Sequence, residues 1–378
     1  VTAGTAAAKT LLIAGGGTGG HVIPALAVAR EWMSRSEPVA KNEPDGASER
    51  RVVLVGTERG IERRLVPQAG FPLELIRAAG LKGIRGTTFY RNASQLPLGL
   101  LDSEKILRKY RPDVAFGVGG YASGPMMLVA ALHGAPTVVY EPNVEAGFAN
   151  RLLFRFASRV VVGYEKLAIR IGSKAVVTGC PIHKDFFAIP PKEHKPPFTI
   201  FITGGSRGAS PINQAVMNSL DVLSGRKDQL FVVHQTGEGD YNAVRQAYER
   251  REFRAEVLPF IENMADRFAQ ADLIICRSGA TTVAEVAAAG RVAIFIPFGA
   301  STDAHQARNA EVMEQAGAAS LVLQTDLTAR RLTSEIFSLL DQPRRLTEME
   351  DRARKFARPR AVEDIVDVLD SLAGASRT

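Results

Sequence analysis

Short apolar runs alternate with amphipathic stretches along the first half of the chain. Residues 10–14, 51–55, 73–76, 114–118 and 137–140 read as strands, separated by helical stretches such as PALAVAREWM at 24–33. Residues 41–50 are polar and read as an exposed loop. Strands alternating with helices predict a doubly wound parallel sheet. Prolines and charges then cluster at 178–197, and the pattern restarts with strands at 198–203, 230–233, 256–258, 273–276 and 292–296. The expected architecture is α/β: two Rossmann-like doubly wound domains facing a central cleft. An amphipathic tail helix at 363–372 has no partner assigned by the pattern.

Glycine-rich turns follow several of these strands: GGGTGGH at 15–21, GVGGYASGP at 117–125 and GGSRGAS at 204–210. Glycine lets a ligand or a second loop approach the backbone closely, and open α/β sheets bind ligands beyond the carboxyl ends of their strands. The first run matches GxGxxG at Gly15, Gly17 and Gly20, which raises a dinucleotide site. Such a site wants an acid at the end of the second strand, and here that strand ends in Gly56-Thr57. His21 follows the glycines directly and is expected at a helix start, facing the cleft, or else as a satisfied structural histidine.

The stretch from Ile275 to Asn309 is the most informative. A buried strand runs into Ser278-Gly279, which opens a helix, and Gly290 sits where a helix end wants positive φ. A strand, tight turn and helix N-terminus present backbone N–H groups and a positive dipole end to an anion. Glu285, the one acid of a helix rich in Ala, Val and Thr, is too deep for a capping box. It is placed to accept bonds from ribose hydroxyls. Asp303, His305, Gln306 and Asn309 add a polar cluster after the next strand, and the whole reads as a nucleotide-diphosphate site.

At 378 residues the chain suits two domains, and 46% apolar with 23% charged residues describe a soluble globular protein. The formal charge of +7 fits an anionic partner. No dense Lys/Arg block with interleaved aromatics occurs, so nucleic acid is not expected. Cys180 and Cys276 have no CxxC spacing, which fits a reducing compartment without a disulfide framework or structural zinc. No apolar run approaches the roughly 18 residues of a spanning helix. The apolar run at 11–14 is too short for a signal peptide and ends in glycines, so the expected compartment is cytoplasmic. In residues 79–101, from Ala79 to Leu101, Lys82, Arg85 and Arg91 alternate with Leu81, Ile84, Phe89 and Tyr90. That pattern suits an anionic membrane surface or a loop partly packed on the core.

The set GGGTGGH, GVGGYASGP, GGSRGA, and CRSGATTVAEVAAAG with HQxxNA, in this order, resembles the MurG family of bacterial peptidoglycan glycosyltransferases. The resemblance covers essentially the whole chain. It implies a GT-B fold and transfer of N-acetylglucosamine (GlcNAc) from UDP-GlcNAc to undecaprenyl-diphospho-MurNAc-pentapeptide, converting lipid I to lipid II. It further implies an N-terminal acceptor-binding and membrane-associating domain at 1–183 and a UDP-GlcNAc-binding domain at 184–356. A last helix within 357–378 would return to the first domain, and the enzyme would sit peripherally on the cytoplasmic face of the inner membrane.

By the same resemblance Thr18, Gly19, Gly20 and His21 line the catalytic cleft, and Asn143 lies near the transferred sugar. His21, able to titrate near neutral pH, is the candidate base or positioner of the acceptor hydroxyl, with Asn143 and Glu141 as the fallback candidates. Ser206 and its loop would bind the diphosphate, with Arg277 nearby. Ile261 would contact uracil, Glu285 the ribose, and His305 and Gln306 the GlcNAc. Three positions depart from the family pattern: Pro142 stands where Gln is usual in Glu-Gln-Asn, Arg207 where GGSQGA has Gln, and His183 in GCPIH where a phosphate-contacting arginine is usual. No Asp-x-Asp occurs, so neither a metal at the diphosphate nor any cofactor is expected. A relative using another sugar nucleotide or acceptor, a UDP-sugar epimerase and an NAD-linked dehydrogenase are the competing readings.

Overall fold

A computed structural model describes residues 8–36, 49–78, 95–299 and 305–375. The chain divides into two compact units, residues 1–182 with 360–378 and residues 183–359. The first unit runs β1 (Lys9–Gly15), α1 (Gly19–Ser34), β2 (Arg50–Gly56), α2 (Glu62–Gln68), β3 (Leu73–Leu75), α3 (Gln95–Tyr110), β4 (Val114–Gly119), α4 (Ser123–Leu132), β5 (Thr137–Glu141), α5 (Phe148–Leu153), β6 (Arg159–Val162), α6 (Glu165–Ile171) and β7 (Ala175–Val177). Its seven strands lie in the order β3-β2-β1-β4-β5-β6-β7, all parallel. Along β1, Leu11 and Ile13 enter one core layer while Leu12 and Ala14 enter the other. Residues at successive positions point to opposite faces, so an unbroken apolar strand is what two helical layers require.

The second unit runs β8 (Phe198–Thr203), α7 (Ser210–Leu223), β9 (Leu230–Gln235), α8 (Tyr241–Glu249), β10 (Ala255–Leu258), α9 (Met264–Gln270), β11 (Leu273–Cys276), α10 (Ala280–Ala289), β12 (Ala293–Phe295), α11 (His305–Gln315), β13 (Ser320–Leu321), α12 (Ala329–Leu340) and α13 (Pro343–Arg354). Its six parallel strands take the order β10-β9-β8-β11-β12-β13. Both sheets therefore reverse direction beside their own first strand, between β1 and β4 and between β8 and β11. Neighbouring loops diverge to opposite faces there, leaving a crevice.

Strands β6, β7 and β13 are additions to the sequence reading. They hold four, three and two residues, too few for a period of two to stand out. Helix α1 starts five residues earlier than the expected Pro24: Thr18 is its N-cap, and Thr18 O accepts from the N–H groups of His21 and Val22 at 3.1 Å. Pro24 is tolerated in the second turn, where it withdraws one donor from the Gly20 carbonyl. Helix α14 (Ala361–Ala375) belongs to the first unit and buries Ile365, Val366 and Leu369 in the layer that contains Trp32. Burying three such side chains is worth roughly 5–9 kcal/mol before the entropy of ordering the helix. Arg35 pairs with Asp367 at 2.7 Å and Arg50 with Asp370 at 2.8 Å, which sets its register. Among the described residues no helix is long and apolar enough to cross a membrane.

Candidate active site

In the first unit the loops after β1 and β4 leave the sheet side by side, Gly15 opposite Gly119. They touch so closely that a Cβ at Gly120 would lie 2.2 Å from Gly16 O, and one at Gly119 would lie 3.0 Å from the His21 ring. His21 is half-buried at the start of α1, its Nδ1 3.1 Å from Gly16 O and 3.3 Å from Thr18 Oγ1. Burial lowers its pKa below the ordinary imidazole value, against the opposing pull of the Gly16 carbonyl, Glu141 and Glu62. At neutral pH the ring is therefore uncharged and able to accept a proton. Thr18 and Gly20 are exposed beside it, and Gly19 is half-buried.

The loop after β5 carries the other candidates of this unit. Glu141 is buried and its carboxylate accepts from Asn143 N (3.1 Å), Asn143 Nδ2 (2.8 Å), Gly147 N (3.2 Å) and Asn150 Nδ2 (2.9 Å). Four donors on one carboxylate make it a holder of the loop and of the Asn143 side chain. Asn150, which also donates to Tyr140 O at 3.1 Å, carried no signal in the sequence.

Sequence reasoning also missed Glu62. The acid sought at the end of β2 is absent from the strand, but Glu62, first residue of α2, folds back into that place and is 1% exposed. It accepts from Thr57 N (3.0 Å), Thr57 Oγ1 (3.1 Å) and Gly17 N (2.7 Å). That loop N–H is therefore already satisfied within the protein, which weighs against a dinucleotide pyrophosphate on this loop.

In the second unit Cys276 pairs with Thr203, so the loops after β8 and β11 also emerge together. Ser206 and Arg207 are exposed at the turn into α7, with Gly205 N bonded to Thr203 Oγ1 at 3.1 Å. Buried Asn213 ties the first turn of α7 to the end of β9 through Thr236 O at 2.9 Å. After β11, Ser278 donates to Gln306 O at 2.8 Å and Asn309 Nδ2 donates to Ser278 O at 3.2 Å. Gln306 Oε1 accepts from Phe298 N at 2.9 Å, and Arg277 Nη1 donates to the Ile296 and Pro297 carbonyls at 3.0 and 2.9 Å. These bonds fasten the starts of α10 and α11 to one another and bring Arg277, Ser278, His305 and Gln306 into one group. Gly290 takes φ 53° at the end of α10, the left-handed cap expected of it.

Glu285 projects from the middle of α10, half-buried, with no hydrogen-bond partner among the described residues. Burial pushes its pKa up to about 8. A carboxyl withdrawn from water without a hydrogen bond among the described residues favours its neutral form, and it keeps its capacity to bond hydroxyls. Ile261, past the end of β10, is buried while its neighbour Phe260 is exposed. His183 stands apart: it is exposed, pairs with Asp185 at 3.1 Å, and has no other candidate among its hydrogen-bond partners. Asp303 lies outside the described residues, as does 79–94 of the basic–apolar segment. Its remainder opens α3, where Leu96, Leu98 and Leu101 are exposed. Among the described residues no three His, Cys, Asp or Glu side chains are grouped to hold a metal ion.

Two parallel α/β sheets, each with glycine loops at its switch point, give the two-domain pattern of the GT-B fold. Residues 11–162 match the glycosyltransferase family 28 N-terminal domain and residues 199–365 match the family 28 C-terminal domain. The UDP-N-acetylglucosamine--N-acetylmuramyl-(pentapeptide) pyrophosphoryl-undecaprenol N-acetylglucosamine transferase of Myxococcus xanthus is 42% identical over 361 residues, 95% of this chain and 91% of that protein. The enzyme of the same name from Geotalea uraniireducens is 41% identical over 94% of this chain and 96% of its own length. The crystal structure of Acinetobacter baumannii MurG superposes with a TM-score of 0.78 at 31% identity, covering 96% of this chain and 99% of that one. The chain belongs to glycosyltransferase family 28 and, within it, to the MurG family.

Proposed function

We propose that the protein transfers GlcNAc from UDP-GlcNAc to the 4-hydroxyl of undecaprenyl-diphospho-MurNAc-pentapeptide with inversion, making lipid II from lipid I. The observation that carries this reading is identity above 40%, spread over nearly the whole chain, to transferases of that name. The acceptor oxygen attacks C1 of the sugar, the C1–O bond to UDP breaks with its electron pair leaving on the diphosphate, and the hydroxyl proton passes to His21. Asn143, held by Glu141, orients the sugar. In the second unit Glu285 takes the ribose hydroxyls, Ile261 the uracil, and His305 and Gln306 the GlcNAc. Ser206, the α7 N-terminus and Arg277 stabilise the departing diphosphate. Each well-placed donor of this kind contributes on the order of 3 kcal/mol to a transition state.

Release of UDP from UDP-GlcNAc in the presence of a lipid I analogue, with a β-linked disaccharide product, tests the proposal. Release of free 2-epimerised sugar without acceptor would point instead to an epimerase. The enzyme docks peripherally on the anionic cytoplasmic face of the inner membrane through residues 79–101. Exposed Leu96, Leu98 and Leu101 at the start of α3 support this surface, and a charge of +7 favours it. Replacing Ile84 and Phe89 by Ser and Lys82 and Arg85 by Gln should weaken flotation with anionic vesicles and leave turnover of a soluble acceptor intact. Unchanged flotation rejects the surface.

A further inference from the structure

The contacts of Glu62 and His21 meet on a single peptide group. The amide joining Gly16 to Gly17 donates its N–H to Glu62 Oε2 at 2.7 Å, and its carbonyl oxygen lies 3.1 Å from His21 Nδ1. A carbonyl oxygen can only accept, so Nδ1 carries the proton and Nε2 is the bare, basic nitrogen. Thr18 Oγ1, 3.3 Å from Nδ1, can share that same N–H. A carboxylate pulling on an amide N–H raises the electron density on its oxygen, so the two bonds strengthen each other.

We propose that Glu62 is a positioning residue of the transfer reaction, acting on His21 through the Gly16–Gly17 amide much as a triad carboxylate acts directly on its histidine. This rests on the reading of His21 as the acceptor's base. The local sequence leaves room for this side chain: a Cβ at Gly16, Gly56 or Gly60 would each come within 2.5 Å of Glu62 atoms. Glycines on three sides make the slot, and the carboxylate fills it. Glu62 also helps to favour the charged ring electrostatically, against the burial that disfavours it.

The decisive variant is Glu62→Gln, which keeps volume but cannot accept from Thr57 and Gly17 with both atoms. Where a carboxylate pairs directly with a catalytic histidine its amide variant loses about four orders of magnitude; an intervening peptide reduces this to roughly 10–100-fold in kcat. The KM for UDP-GlcNAc should stay within about twofold, because the donor groups lie in the other unit. The acid limb of the pH–kcat profile should move to lower pH, since removing a nearby negative charge makes His21 harder to protonate. A folded Glu62→Gln enzyme with wild-type kcat and pH profile overturns the proposal, as does a loss of kcat with the acid limb unmoved. Should the variant not fold, 15N NMR of the wild-type imidazole decides: the Nδ1–H tautomer supports the relay and the Nε2–H tautomer overturns it. His21→Ala separates the two levels, because near-normal kcat there sinks the base assignment whatever tautomer is found.

Discussion

The two units repeat one topology and use its switch point in opposite ways. In the first, the loops after β1 and β4 are pressed together and satisfied from within: Glu62 takes the Gly17 N–H, and Gly16 O holds His21. In the second, the loop after β8 stays exposed at Ser206 and Arg207, and Glu285 on α10 has no partner among the described residues. A site that has consumed its own donors can fix one side chain in one tautomer. A site that has left donors and a carboxylate unspent is shaped for a ligand that brings both hydroxyls and phosphates. On the function proposed above, two sheets that share one order over six strands would carry a proton-transfer site in one unit and a nucleotide site in the other.

The sharpest way to break this comparison is at His21. His21→Ala should lower kcat by roughly 10²–10⁴-fold with UDP affinity by calorimetry little changed. A variant that keeps kcat and loses donor affinity would make His21 a diphosphate ligand and erase the division of labour.

A second test concerns charge at the other end of the second unit's sheet. Buried His194 bonds Asp272 at 2.9 Å and lies 3.4 Å from Glu350; burial opposes its charge, but these carboxylates prevail and raise its pKa to about 9. A histidine whose folded pKa exceeds its unfolded 6.5 stabilises fully below pH 6.5, and that contribution is lost as pH rises through 9. His194→Gln should therefore cost roughly 3 kcal/mol at pH 6, with the gap from wild type in thermal melts closing towards pH 9.5. A gap that stays constant across that range would show the network to be uncharged.

Glu285 should fail by weaker binding. Losing bonds to two ribose hydroxyls, each worth about 0.5–1.5 kcal/mol net, gives about 1–3 kcal/mol, a ~5- to 150-fold rise in the KM for UDP-GlcNAc, with kcat nearly kept in Glu285→Ala. Its folded pKa, about 8, lies above the unfolded 4.5, so the native state binds the extra proton and stability falls as pH rises from 4.5 through 8. Glu285→Gln should then melt higher than wild type at pH 9 while binding donor worse. Lower melting and unchanged KM would remove it from the ribose site. The smallest effect belongs to Arg207→Gln: an exposed, screened cation should change donor KM by only about two- to threefold, and less at high salt. A larger change would make Arg207 a direct diphosphate ligand.

The order of elements, the restart of the pattern near residue 198 and the glycine turns were legible in the sequence, because strand and helix periods and φ requirements are local properties. So was Glu285, the one acid of a small-residue helix. Which loops meet was decided only by strand order, since the crevice forms where β1 neighbours β4 and β8 neighbours β11, over 70 residues apart in the chain. Glu62 shows why this matters: in the sequence it is an ordinary first-turn acid of a seven-residue helix. Its role depends on a buried carboxylate reaching Gly17, 45 residues away, and no periodicity encodes that distance. Glu141 stood out as acid beside Asn143, but the four donors its carboxylate meets, which hold its loop, were fixed only by folding. Local sequence determines which groups are present and how the backbone turns; burial and the partners each group meets, which set its charge and its task, arise only in the tertiary structure.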